Sequence, residues 1–105
     1  MKHIITKLNK IFDHRVRLGI MSVLMVNDQV DFTTLRDTLE VTDGRLASHL
    51  KALEKSEYVE VKKQFIGRKP NTSYRVTAIG KKAFNDHLDA LESLIQQSNK
   101  SESED

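Results

Sequence analysis

Apolar positions follow a helical period through the first half of this chain and an alternating period after it. Ile4, Ile5, Leu8, Ile11 and Phe12 recur at helical spacing and predict a first helix over His3–Phe12. Asp13 reads as the N-cap of a second helix, His14–Val26, which Asn27-Asp28 ends. Its Val16, Ile20, Val23, Leu24 and Met25 form a broad core stripe. Phe32 belongs to a short extended piece. Thr33 is a suitable cap for a short third helix carrying Leu35 and Leu39, and Thr42 for a fourth that reaches about Ser56. In both places a hydroxyl can accept one of the orphan N–H groups of the first turn.

Beyond residue 57 the pattern becomes that of strands. Tyr58–Ile66 alternates Val59, Val61 and Phe65 with polar residues. Gly67–Thr72 contains the only proline of the chain, Pro70, and predicts a turn. Ser73–Val76 then makes a second strand with Tyr74 and Val76 on one side, which completes a hairpin. Thr77 caps a last helix from Ala78 to about Gln97, and the apolar-free stretch 98–105 reads as a disordered acidic tail. The predicted fold class is mainly α with a β-hairpin (α+β), one domain over residues 1–97. A chain of 105 residues, 38% hydrophobic, can build one core but not two.

Helices three and four are joined by only Glu40-Val41, the tight connection of a helix-turn-helix, whose second helix enters a major groove. At about 100° per residue, Leu46, Leu50 and Leu53 fall in one narrow sector and define the core face. Gly44, Ser48, Lys51 and Lys55 lie opposite, with Arg45 and Ala52 on a flank. Small residues permit close approach, a hydroxyl can meet a base edge, and long cations suit phosphate or guanine. His49 sits at the boundary and is expected to pack against the third helix. Charge strengthens this picture. Thr42–Arg75 holds eight basic residues against four acids, while the whole chain is only +2. The excess continues into the hairpin, with Lys62, Lys63 and Arg75 on its arms and Arg68-Lys69 at its tip, where an arginine can reach a narrow minor groove.

These segments resemble a known family. Arg17-Leu18-Gly19-Ile20-Met21-Ser22-Val23-Leu24 looks like a helix of the ArsR and MarR-type winged-helix regulators of bacterial type. The run from Val41-Thr42-Asp43-Gly44-Arg45 through Lys55 to Val59 resembles their recognition helix and the start of the wing. Lys63-Gln64-Phe65-Ile66-Gly67-Arg68-Lys69-Pro70, Ser73-Tyr74-Arg75-Val76-Thr77 and Gly80-Lys81 are similar to the wing and the start of the final helix. The resemblance implies a winged helix-turn-helix with terminal dimerisation helices, acting as a transcriptional regulator, taken as a repressor, on a pseudo-palindromic double-stranded operator. The recognition helix, about 43–56, would lie in the major groove and the wing, about 62–75, at the minor groove. The candidate DNA contacts are Thr33, Thr34 and Thr42 at helix starts, Gly44, Arg45, Ser48, Lys51 and Lys55 on the recognition helix, and Lys63, Arg68, Lys69 and Arg75 on the wing.

The ends of the chain suggest self-association. Phe84, Leu88, Leu91 and Ile95 recur as a short a/d seam, and Ile4, Leu8 and Ile11 form a second stripe at the other terminus. Both stripes exceed what one small core can cover, so they are the candidate homodimer interface. Metal-sensing members of the family use cysteines, absent here, or paired carboxylate and histidine ligands on the last helix. Asp86, His87 and Asp89 lack a second histidine on that helix and are expected to form a solvated face, so no metal or other cofactor is expected. The histidines are scattered and the glycines stand far apart, which argues against an enzyme. With no apolar run near membrane-spanning length and no signal-peptide core, the cytoplasm is the default location. Two other readings stay open: a protein-interaction or RNA-binding use of the fold, and a regulator gated by a small-molecule effector at the dimer interface. The basic tip opposes a protein-binding wing, and six aromatics, mostly at core positions, oppose base stacking on single strands.

Overall fold

The N-terminal apolar stripe forms two short pieces rather than one helix. In the computed structural model, which describes residues 2–103, α1 covers Lys2–Ile5 and a 3-10 turn covers Lys10–Phe12. Asn9 causes the break. Its backbone is extended, its Oδ1 accepts from Ile11 N at 3.0 Å, its own N–H donates to His87 Nδ1 at 3.0 Å, and its Nδ2 donates to the Tyr58 hydroxyl at 3.0 Å. Such a set of bonds requires a non-helical backbone at this position. Each piece still uses its apolar residues. Ile4 is buried where α1 meets α5, and Phe12 enters the core with ring centroids 5.5 Å from Tyr58 and 5.3 Å from Phe84.

The next helix, α2, covers Arg15–Met25. Its N-cap position is His14, without a side-chain cap, and not Asp13 as the sequence suggested. Asp13 is occupied instead in closing the 3-10 turn, donating its N–H to Lys10 O. The stripe that α2 buries is Val16, Ile20, Met21 and Leu24, while Val23 and Met25 stay half-buried. A two-residue strand, β1 (Val30–Asp31), then leads directly into α3 (Phe32–Leu39). The cap of α3 is Asp31 and not Thr33, because the carboxylate accepts from Thr34 N at 2.7 Å. Bonds from the Thr34 hydroxyl and N–H hold the Asp31 carboxyl below the usual carboxylate range. Glu40, in the left-handed region at φ 53°, turns the chain toward α4 (Asp43–Lys55). Thr42 caps α4 as expected, its Oγ1 accepting from Arg45 N at 3.3 Å.

Strands β2 (Val59–Ile66) and β3 (Lys69–Val76) pair from Val59↔Val76 to Ile66↔Lys69, and β1 adds to the other side of β3 at Val30↔Tyr74 and Asp31↔Ser73. The sheet order is β1-β3-β2. The expected turn over Gly67–Thr72 shrinks to Gly67-Arg68, with Gly67 at φ +66°, the sign a two-residue hairpin turn requires. Pro70 therefore lies inside a strand. Because β1 reaches only Ser73, β3 has an open edge at Pro70, where a strand tolerates proline.

Helix α5 runs over Ala78–Ser103, past the expected end at Gln97, so the tail foreseen as disordered from residue 98 is helical as far as Ser103. No glycine or proline follows Gly80 to stop it. Glu104 and Asp105 lie outside the described residues. The core gathers Val16, Ile20, Met21 and Leu24 of α2, Leu35 of α3, Leu46, Leu50 and Leu53 of α4, Val59, Tyr74 and Val76 of the sheet, and Phe12 and Phe84. The three α4 leucines are 0–1% exposed, and burying each contributes about 1.5–3 kcal/mol. Packing thereby fixes the rotation of α4 and decides which of its residues face outward. The architecture is the mainly α fold with a hairpin wing that the sequence suggested, enlarged by the short β1.

Candidate nucleic-acid interface

With the leucines inward, Gly44, Arg45, Ser48, Lys51 and Lys55 of α4 are all exposed. A Cβ built on Gly44 would meet nothing within 4 Å, so packing does not demand glycine there. No other side chain among the described residues bonds or pairs with the side chains of Arg45, Ser48, Lys51 or Lys55. The face is open and cationic.

His49, on the flank, departs from expectation. It packs against the start of α2 and not against α3: its Nδ1 accepts from Arg17 Nε at 3.0 Å, and its ring lies 5.4 Å from that of His14. Burial, then the charges of Arg17, His14 and Arg45, push its pKa down, so the neutral ring can act as acceptor. Arg17 also donates to Ile11 O at 3.3 Å, which ties the 3-10 turn to α4. Exposed Arg15 lines a groove with Arg45. This extends the basic surface onto α2, upstream of the basic segment Thr42–Arg75. The signal was present as His14-Arg15-Val16-Arg17.

Thr33 and Thr34 are exposed at the start of α3, and Thr33 lines a groove with Lys63, Pro70, Asn71 and Thr72 of the wing. The α3 start and one face of the wing thus form one surface. Arg68 stands in the two-residue tip and Lys69 next to it, both exposed. Arg75 stands apart. It forms an ion pair with Glu60, directly across the ladder, on the opposite face of the hairpin from Lys63. The seven residues from Arg68 to Arg75 span about 23 Å of strand, so it also lies far from the tip.

The dimer seam divides. Phe84 is 5% exposed and sits in the protomer core, and Ile4 is 7% exposed against α5, so neither is available to a partner. The buried stripe of α5 is Gly80, Phe84, His87 and Ala90. Leu88 and Ile95 lie about 80–100° round the helix from His87 and are 43% and 61% exposed. Leu8, Ile11 and Leu91 are half-buried. Ile5, absent from the expected interface, is 52% exposed. His87 is also not the solvated residue foreseen. It is 4% exposed, its ring lies 5.3 Å from Phe12, and burial pushes its pKa down, which suits the bond it accepts from Asn9. Among the described residues no three His, Cys, Asp or Glu side chains are grouped to hold a metal ion, and no helix is long and apolar enough to cross a membrane.

Comparison with known proteins agrees with this geometry. A family model described as a winged helix DNA-binding domain matches residues 16–95. An uncharacterized protein of Methanocaldococcus jannaschii, an archaeal relative, is 37% identical over 79 residues, covering 75% of this chain and 86% of that protein. A transcriptional regulator homologue from Pyrococcus horikoshii has 31% identity and a TM-score of 0.78, covering 91% of this chain and 93% of its own. A zinc-responsive MarR family member of Lactococcus lactis has the same fold at 10% identity, with a TM-score of 0.62 over 92% of this chain and 66% of that one.

Proposed function

The chain belongs to the winged-helix DNA-binding domain family, and from that premise we propose that it is a transcriptional repressor acting as a homodimer on a pseudo-palindromic operator. In this reading α4 lies in the major groove, the start of α3 meets the backbone, and the wing tip reaches the adjacent minor groove. The observation that carries it is the complete division of α4. Leu46, Leu50 and Leu53 are fully used by the core, whereas Gly44, Arg45, Ser48, Lys51 and Lys55 are exposed and have no task in the fold. Arg45 and Lys51 serve phosphates or guanine edges, and Ser48 reads a base edge. Thr42 and Thr34 act at helix starts, and Lys55, Lys63 and Lys69 add phosphate contacts around Arg68. Arg75, neutralised by Glu60, is left out.

Dimerisation uses the apolar residues the core leaves outside, Leu88 and Ile95 of α5 and Ile5 of α1, with half-buried Leu91 at the edge. Pairing about a two-fold axis sets two recognition helices on successive turns of one duplex face.

The test is selection of bound genomic fragments, followed by anisotropy titration of the selected duplex. With six to ten phosphates contacted, affinity falls by about a thousandfold or more between 50 and 200 mM salt. Lys51→Ala weakens all sequences alike, while Ser48→Ala changes which sequences are preferred. A flat salt response, or profiles unchanged in both variants, refutes the reading.

A further inference from the structure

The wing carries an apolar feature that the monomer does not use. Phe65 is 74% exposed and Ile66 62% exposed, although the alternation in the sequence placed Phe65 with the core residues Val59 and Val61. The two-residue turn explains this. Since β3 begins at Lys69, the hairpin continues past the body of the protein, and Phe65 stands about 13 Å along the strand from half-buried Val61. Phe65 pairs directly with Pro70 across the ladder. Period-two alternation puts this pair on the same face as Lys63 and Thr72, and that face borders the groove containing Thr33. An exposed aromatic and a proline therefore lie on the side of the wing that continues the α3 surface, between Lys63 and the arginine of the tip.

The charges around the pair indicate what covers it. Lys63 shares its face and Arg68 stands in the adjoining tip, Lys62 and Lys69 project from the opposite face, and residues 61–74 contain no acid. A second identical wing would bring these cations face to face, which disfavours a copy of this chain as the occupant. DNA satisfies both kinds of group. Its phosphates take the cations, and between successive phosphates the walls of the minor groove present deoxyribose, an apolar surface. At about 6 Å wide, the groove admits side chains from the tip and not the whole hairpin.

Resting on the DNA-binding reading above, we propose that Phe65 and Pro70 form an apolar plate that packs against deoxyribose at the edge of the minor groove, so that the wing reads groove width as well as negative charge. The closer the groove walls, the more of the plate they cover. Narrow A-tract grooves are favoured even though this pair touches no base edge.

Two short duplexes test this, one with a central A-tract and one with a G·C-rich centre, titrated by anisotropy over a range of salt with mass and melting temperature measured in parallel. Phe65→Ser should weaken A-tract binding by about tenfold at every salt concentration, because the lost contact is apolar and releases no counterion. It should also narrow the preference for the A-tract duplex. Phe65→Tyr keeps the ring and should bind like the wild type. Arg68→Ala should instead reduce the salt slope by about one. Should Phe65→Ser melt early, Pro70→Ser removes the other half of the plate and carries the same expectation. Wild-type binding that neither substitution alters overturns the proposal. So does a variant that lowers the mass of the assembly, which assigns the plate to a second copy. Binding of neither duplex by the wild type refutes the DNA-binding reading beneath it.

Discussion

Replacing Gly80 by alanine should destabilise the protein, against the sign that helix propensity gives. Gly80 lies in the first turn of α5, where its N–H donates to Thr77 Oγ1 at 2.9 Å. A Cβ there would stand 2.1 Å from the Tyr58 carbonyl oxygen, 2.8 Å from its carbon and 2.9 Å from Tyr58 Cα. All three atoms are backbone, and Tyr58 is held from two sides. Its carbonyl accepts from Thr77 N at 2.9 Å, and its N–H donates to Leu53 O at 3.0 Å. The start of α5 must therefore move out by about 1 Å or lose the Thr77–Tyr58 bond. Alanine gains about 1 kcal/mol in an unconstrained helix. Overpacking typically costs about 1–3 kcal/mol, a strained or lost hydrogen bond about 1 more, and backbone partners place this site at the upper end. The net loss is about 1–3 kcal/mol. At about 4–8 °C per kcal/mol for a domain of this size, the melting temperature falls by roughly 5–20 °C. Thermal unfolding followed by circular dichroism reads it directly. A melting temperature equal to or above the wild type would show that α5 does not approach Tyr58 in this way.

Glu57 occupies the left-handed region at φ 65°, where a side chain costs about 1–2 kcal/mol. Glu57→Gly should therefore raise the urea midpoint, since the carbonyl that accepts from Thr77 Oγ1 is retained, and an unchanged or lower midpoint would contradict this. His87 is kept neutral by burial, with its pKa below the ordinary 6.5, so the unfolded chain binds its proton first as pH falls. Stability is accordingly full above about 6.5 and declines below it. Denaturant titrations at pH 7 and pH 5 should show a smaller decline in His87→Gln, which cannot titrate; equal declines would remove His87 from the account. Leu88→Glu with Ile95→Glu should halve the mass in light scattering with helicity unchanged, whereas Phe84→Glu should unfold the chain. A wild-type monomer at micromolar concentration would refute the dimer.

Helix α4 was legible because independent local signals agree on it. Thr42 caps it, three leucines repeat at core spacing, and the opposite face is cationic. Its position depends on neighbours in sequence and so could be read there. The break at Asn9 could not. Its bonds go to Tyr58 and His87, which are 49 and 78 residues away, and nothing local distinguishes Asn9 from a surface position on a continuous helix. Phe84 shows a different limit. Periodicity identifies a face but not what covers it, so a core residue and a dimer residue share one spacing. Pro70 misled for a third reason, since a proline marks a turn only where the strand around it has a partner on each side. The strand pairing of β1 and the ion pair of Arg75 with Glu60 were also out of reach, because both require the register of the sheet.

The two parts of the proposed DNA surface are held in different ways, and this bears on how they would divide recognition. Leu46, Leu50 and Leu53 lock α4 into the core, and Arg17 ties its flank through His49 to α2 and the 3-10 turn. Its outward residues can change with little effect on the fold. The outer wing has no such support. Beyond Ser73 it has only its own ladder and a two-residue turn, with no strand of β1 beside it. A two-stranded ribbon of this kind is weakly stable alone and bends readily. Such a ribbon can adjust its angle, which suits the proposed role of sensing groove width and charge rather than base identity. In the reading proposed above, base selection then rests with the rigid helix, through Ser48 and its neighbours. Changes in the wing should act on affinity and shape preference, without altering which bases α4 selects.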